Sequence, residues 1–195
     1  MATHKSRLPP DLVPHPRYGV QPIPSGIEVP EEALRHGFWR HQRERMFPES
    51  VILGDASKQN YAIYPRRYYV DVLRECRTCR RPFIFFAREQ RYWFETLHFF
   101  VDADCVLCPS CRRDSQVIRR RLRRYSDLRR ESQLTDAQLQ SLVDDATYLF
   151  IHGALRDVNS LGQLKNRAVK VIPEYVGTTR LREVLANAKA ATSAA

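Results

Sequence analysis

Cys76-Arg77-Thr78-Cys79 and Cys108-Pro109-Ser110-Cys111 decide how this chain is read. Each is a C-x2-C pair, and a two-residue gap folds the backbone so that both sulfurs converge on one ion. Four thiolates delivered this way are what a tetrahedral zinc ion requires. The 28 residues between the pairs leave room for two strands and a short helix. The reading is therefore a structural zinc ribbon with Cys76, Cys79, Cys108 and Cys111 as ligands.

Working outward, Tyr68-Tyr69-Val70-Asp71-Val72-Leu73 and Pro82-Phe83-Ile84-Phe85-Phe86 are rich in strand formers on either side of the first pair. They predict a hairpin with Cys76 and Cys79 at its tip. Strand side chains alternate, so Phe83 and Phe85 face one way and Ile84 and Phe86 the other. Residues Glu89 to Leu97 read as a short helix, since Trp93 and Leu97 are four apart and the acids come early. Phe99-Phe100-Val101 predicts a returning strand. The rings of Phe83, Phe85, Phe86, Tyr92, Trp93, Phe94, Phe99 and Phe100 are expected chiefly as core around the metal, because a small domain is short of apolar volume. Stacking on nucleobases is their other possible use.

Cys105-Val106-Leu107-Cys108 is also a C-x2-C, and spacing alone admits both pairings. Pro109 presets a turn inside the Cys108–Cys111 pair, whereas Cys105 sits in a run that reads as strand. Cys105 is expected to be a small buried hydrophobe rather than a ligand or redox thiol. His98 is expected to be a packing or surface residue.

The stretch from Cys76 through Phe83, Phe85, Phe86, Glu89, Gln90 and Trp93 to Cys108-Pro109-Ser110-Cys111-Arg112 resembles the bacterial family described as a probable zinc-ribbon domain. The resemblance covers about residues 68–113 and combines the cysteine spacing with a Glu-Gln dyad, an aromatic strand and an Arg after the last cysteine. It implies zinc on Cys76, Cys79, Cys108 and Cys111, and no established activity. One departure is Arg80. Many such ribbons place Gly after the second cysteine, where positive φ is favoured, so the first knuckle is expected to be slightly strained.

The rest of the chain is proline-rich, then helical. Seven of twelve prolines lie in the first 30 residues, which predicts an extended or disordered arm over 1–30. Residues 31–67 read as a linker with a short helix from Glu31 to Arg40, carrying Leu34, Phe38 and Trp39. The ribbon spans 68–113, a helical region 114–190, and an Ala-rich disordered tail 191–195. Within the helical region Thr135-Asp136-Ala137-Gln138 is a capping box opening a helix to about 152. A second helix is read from about 160 to 171 and a third around Leu181 to Ala188. The fold class is α+β.

The net charge of +10 is unevenly placed, with nine Lys and Arg against three Asp and Glu in residues 112–131. At 100° per residue Ile118, Leu122 and Tyr125 form an apolar stripe on the helix after Cys111. Arg112, Arg113, Arg119, Arg120, Arg123, Arg124 and Arg130 gather opposite, although Asp114, Asp127 and Glu131 can pair locally with some of them. Arginine suits bidentate phosphate contacts, so a polyanion, RNA or the ribosome, is the expected partner. The alternative is a protein–protein adaptor using the C-terminal helical hairpin.

Other classes lack a sequence basis. No run approaches the roughly 18 apolar residues of a membrane span, and the N-terminus leads into prolines rather than a signal core. Five cysteines within 36 residues suit metal ligation in a thiol-keeping cytoplasm better than disulfides. There is no Gly-rich phosphate loop, H-E-x-x-H or nucleophile elbow, and a four-thiolate zinc keeps no open position. Neither catalysis nor a small-molecule substrate is expected.

Overall fold

The computed structural model describes residues 8–37 and 45–193, so Phe38 and Trp39 of the expected first helix lie outside the described residues. The chain divides into two units, Met1–Arg113 and Asp114–Ala195.

The first unit is built on a three-stranded antiparallel sheet of order β1-β2-β3, with β1 at Arg45–Leu53, β2 at Tyr68–Glu75 and β3 at Pro82–Phe85. Strand β1 falls in the stretch expected to be a linker. Pro48 disguises it in sequence, because proline removes a ladder donor; the sheet tolerates it on an edge strand, where the register shifts between Phe47 and Ile52. Strands β2 and β3 form the hairpin around the first cysteine pair, with Val72 opposite Phe85 and Glu75 opposite Pro82. Helix α1, Glu31–Gly37, buries Leu34.

Helix α2, Ala87–Arg91, runs on as a π-helical turn over Tyr92–Thr96, in which Leu97 N–H reaches back to Tyr92 C=O at 3.0 Å. The expected strand at Phe99–Val101 is not formed. Phe100 makes a single bridge to Asn60, and the chain turns at once through His98, whose φ of 51° is incompatible with a strand.

The proline-rich arm is extended but docked from residue 8 onward. Val13 N–H donates to Pro82 C=O at 2.8 Å, and Ser25 N–H to Glu49 C=O at 2.9 Å. Prolines exclude helix, yet a chain held extended can still lay apolar side chains on a sheet. The alternation of β3 decides which: Ile84 and Phe86 pack with Leu12, Phe47, Leu8, Tyr18 and Ile23, while Phe83 and Phe85 point into the cysteine cluster. Buried Asp71 ties these layers together. Its carboxylate accepts Ala87 N–H at 2.6 Å and Ile23 N–H at 3.0 Å, and burial pushes its pKa up to about 6.

Helix α3, Pro109–Arg130, starts in the first unit. With it the second unit comprises α4, Asp136–Ile151, α5, Val158–Val171, and α6, Val176–Ser193, so helix continues into the stretch expected to be a disordered tail. The Thr135–Gln138 capping box is present at α4, and Asp157 caps α5. Tyr125, Leu139, Leu142, Val143, Ala146, Leu149, Leu161 and Leu181 form its apolar core. No helix among the described residues is long and apolar enough to cross a membrane.

Candidate metal centre

The first knuckle is held by backbone bonds. Cys76 N–H donates to Arg81 C=O at 3.0 Å, and Arg80 N–H returns to Cys76 C=O at 2.9 Å. That loop needs a left-handed residue, and Arg80 supplies it with φ 61°. The departure from glycine is thus a real backbone strain, of about 1 kcal/mol. The second pair sits differently from the ribbon expectation. Cys108 immediately precedes α3 and Cys111 lies in its first turn, with Pro109 at the first helical position, where its missing N–H costs nothing.

The Sγ atoms of Cys76, Cys79, Cys108 and Cys111 all lie within 4.8 Å of one another. The Cys79–Cys108 separation is 3.8 Å, which matches the edge of about 3.8 Å expected for a tetrahedron with Zn–S bonds of about 2.3 Å. Cys76 and Cys108 are buried and Cys79 is exposed. Cys108 N–H donates to Cys76 Sγ at 3.3 Å. Burial opposes ionisation of Cys76, but the N–H groups of Cys108, Cys79 and Thr78 outweigh it and bring the thiol down to about 6. Cys108 and Cys111 are pushed up, by burial and then by neighbouring sulfurs. The Cys76 thiolate forms readily here, while Cys108 and Cys111 resist ionising beside it. A dication at the centre reverses that resistance, and the positive end of α3 favours the residual negative charge.

Cys105 lies outside the cluster. It is buried, its Sγ is 3.6 Å from Leu107 C=O, and burial raises its thiol to about 12. His98 is exposed, with Nδ1 2.9 Å from Lys58 C=O.

The residues of the Glu89-Gln90 dyad are buried braces. Gln90 Nε2 donates to Val70 C=O at 2.6 Å and Phe85 C=O at 2.9 Å, fastening α2 across β2 and β3. Glu89 Oε1 pairs with Arg112 at 2.7 Å, its Oε2 faces His15 Nε2 at 3.5 Å, and the Arg112 guanidinium lies 5.0 Å over the Trp93 ring. The arginine after the last cysteine therefore anchors the second pair to α2. Sequence spacing could not join Glu89 to Arg112, because the bond depends on how α3 is aimed.

The arginine face divides in the same way. Arg124 holds fully buried Asp145 with Nε and Nη2, each at 2.6 Å, and Arg121 adds a third bond at 2.7 Å. Arg112 and Arg124, expected among open cations, are thus engaged within the fold, and Arg130 lies 4.0 Å from Asp127. Arg113, Arg119, Arg120 and Arg123 are exposed and make no ion pair among the described residues. Opposite them Tyr125 is buried and Ile118 half-buried, while Leu122 remains exposed.

Residues 70–120 match the family described as "Probable treble clef domain". That agrees with a second pair carried by a helix, and with the zinc-binding resemblance seen in the sequence. No curated protein and no solved structure matches the chain. The donor set, its geometry and this match make the four cysteines a zinc centre.

Proposed function

We propose that this protein is a non-catalytic binding module in which zinc organises the first unit and α3 presents cations to a polyanion, RNA being the best fit. The observation that carries the reading is the exposure of Arg119, Arg120 and Arg123 along one face of α3, while Arg121 and Arg124 on the same helix are engaged by Asp145. A helix that needed arginine only for its own fold would need the latter pair alone. Guanidinium groups spaced along a helix suit phosphate contacts. Zinc is structural in this reading, because four thiolates complete its coordination and leave no position for an activated water.

The test replaces Arg119, Arg120 and Arg123 by Gln, which preserves helix propensity and leaves Arg124 on Asp145. Binding of a fluorescein-labelled oligouridylate is followed by anisotropy from low to moderate salt. Fold and zinc content should be retained, affinity should fall, and the slope of log affinity against log salt should shrink by up to about 2 for a single strand. A zinc-loaded variant that binds like the parent, or a parent that binds no nucleic acid at low salt, overturns the reading and leaves the protein adaptor in its place.

A further inference from the structure

In the first unit two neighbouring segments leave large apolar side chains in water. Tyr61, Ile63 and Tyr64 project from the loop after Asn60, with Ile63 75% and Tyr64 81% exposed, and Leu97, Phe99 and Phe100 are exposed on the turn after the π-helical segment. The two segments are neighbours: Val101 N–H donates to Asn60 C=O at 2.9 Å, and His98 Nδ1 lies 2.9 Å from Lys58 C=O.

Both segments are tied at their bases. The Gln59 amide closes the base of the loop, accepting Arg66 N–H at 2.8 Å and donating to Arg66 C=O at 2.8 Å. His98 is held at φ 51°, a conformation unfavourable for a residue with a Cβ, and the residues on either side of it are exposed. Backbone strain and apolar exposure thus coincide at one place, which is the mark of an interaction surface.

The composition and charge of the rim indicate the occupant. Four of the six exposed side chains are aromatic. Arg67 and Arg91 are exposed nearby and make no ion pair among the described residues. Two of the neighbouring acids are turned to internal bonds: Glu95 accepts Asp55 N–H at 2.8 Å, and Asp55 binds Ser57 and Lys58. Phe99 also meets Trp93 in a T-shaped contact at 5.5 Å, and exposed rings beside exposed guanidinium groups suit a ligand that is flat, aromatic and negatively charged.

We propose that the Tyr61–Tyr64 loop and the Leu97–Phe100 turn form a stacking surface for the bases of single-stranded nucleic acid. The proposal rests on the polyanion reading above and adds to it the requirement for unpaired bases. Every base has a π-face, so the surface stacks without reading sequence. The bonds at the base of the loop and at the His98 turn lower the ordering cost of binding.

The experiment uses the full zinc-loaded chain with two fluorescein-labelled probes, a 12-nucleotide oligouridylate and an abasic strand of equal length and charge. The parent should bind the uridylate at least about tenfold more tightly, and the combined Tyr64→Ala, Phe99→Ala and Phe100→Ala variant should lose about tenfold for the uridylate with its salt slope unchanged. Tyr64→Leu guards against a folding artefact, since that exposed position keeps its apolar character and loses only the ring; its uridylate affinity should fall. In Tyr64→Trp the introduced indole should be quenched by the uridylate and unaffected by the abasic strand. Equal affinity for both probes, or a triple variant indistinguishable from the parent, overturns the stacking surface while the arginine face of α3 stands. A parent that binds neither probe removes both. Self-association at low micromolar concentration that the triple variant abolishes, with uridylate binding untouched, assigns the patch instead to a second copy of the chain.

Discussion

The helical core and the cysteine-bearing cluster of the first unit are ordered by different means. In the helical unit eleven buried side chains from α3 to α6 meet through carbon, and the ties of Arg121 and Arg124 to buried Asp145 add to that packing. In the first unit the cluster behind the hairpin has six buried members, and three are the sulfur residues Cys76, Cys105 and Cys108. Its remaining order comes from specific polar ties at Asp71, Gln90 and Glu89. A cluster that short of apolar volume gains its definition from a metal and from bonds that work only in one geometry, while elsewhere in the first unit Phe47, Ile84 and Phe86, and Tyr69, Phe94 and Val101, pack as ordinary apolar cores. The helical core tolerates more, because apolar packing is not directional.

The most severe way to break the comparison is to remove the metal. Structural zinc sites contribute on the order of 10 kcal/mol, so chelation, or Cys111→Ser, should unfold the first unit and leave helical circular dichroism from the second largely intact. Cys105→Ser serves as the control and should retain one equivalent of zinc by metal analysis. Loss of zinc in Cys105→Ser but not in Cys111→Ser would reassign the ligand pair.

A smaller effect separates the units from the other side. Asp145→Ala removes a buried carboxylate that takes three charge-assisted bonds, leaves Arg121 and Arg124 to water, and should destabilise the helical unit by about 1 to 3 kcal/mol. Thermal or urea unfolding followed at 222 nm should show it, with zinc content unchanged. If zinc is lost as well, the two units do not behave independently.

The third effect is a pH dependence within the first unit. Asp71 has a folded pKa of about 6 against an ordinary 3.8. Between those values the folded state holds a proton that the unfolded state has released, so this group's contribution falls as pH rises from about 4 to 6 and is lost above 6. Two pKa units correspond to about 3 kcal/mol at most. Measured between pH 4.5 and 6.5, the stability of Asp71→Asn should fall less steeply with rising pH than that of the parent. Parallel profiles would show that the two backbone N–H donors, Ala87 and Ile23, hold the carboxylate ionised.

The smallest effect concerns the first knuckle. Arg80→Gly relieves a left-handed φ and should raise the stability of the first unit by about 1 kcal/mol or less, read as slower zinc release to a chelator. Faster release would mean that the exposed Arg80–Glu75 pair at 3.2 Å outweighs the strain.

Elements with strong local signals were legible in the sequence. The capping box at Thr135, the helical spacing through α4 and the strand-rich runs around the first cysteine pair each depend on neighbours within a few residues. Strand β1 was not legible, because Pro48 and the register shift interrupt its alternation. Nor was the turn at His98, where a run of strand formers gave way to a backbone fixed by bonds to Lys58 and Asn60. The arginine face was legible as a wheel sector, but not the engagement of Arg112 and Arg124, whose partners are 23 and 21 residues away.

By itself the sequence determined the chemistry of the centre, since four cysteines in two tight pairs are a property of residue type and spacing. It also determined the excess of arginine on α3 and the helical character of the second unit. Only the tertiary structure decided that the second pair starts a helix, that the proline-rich arm covers the sheet, that three arginines of the central face stay open, and that Tyr64 and Phe99 remain in water. Those outcomes depend on which distant segments meet, and such meetings are set by burial and by hydrogen bonds between residues tens of positions apart.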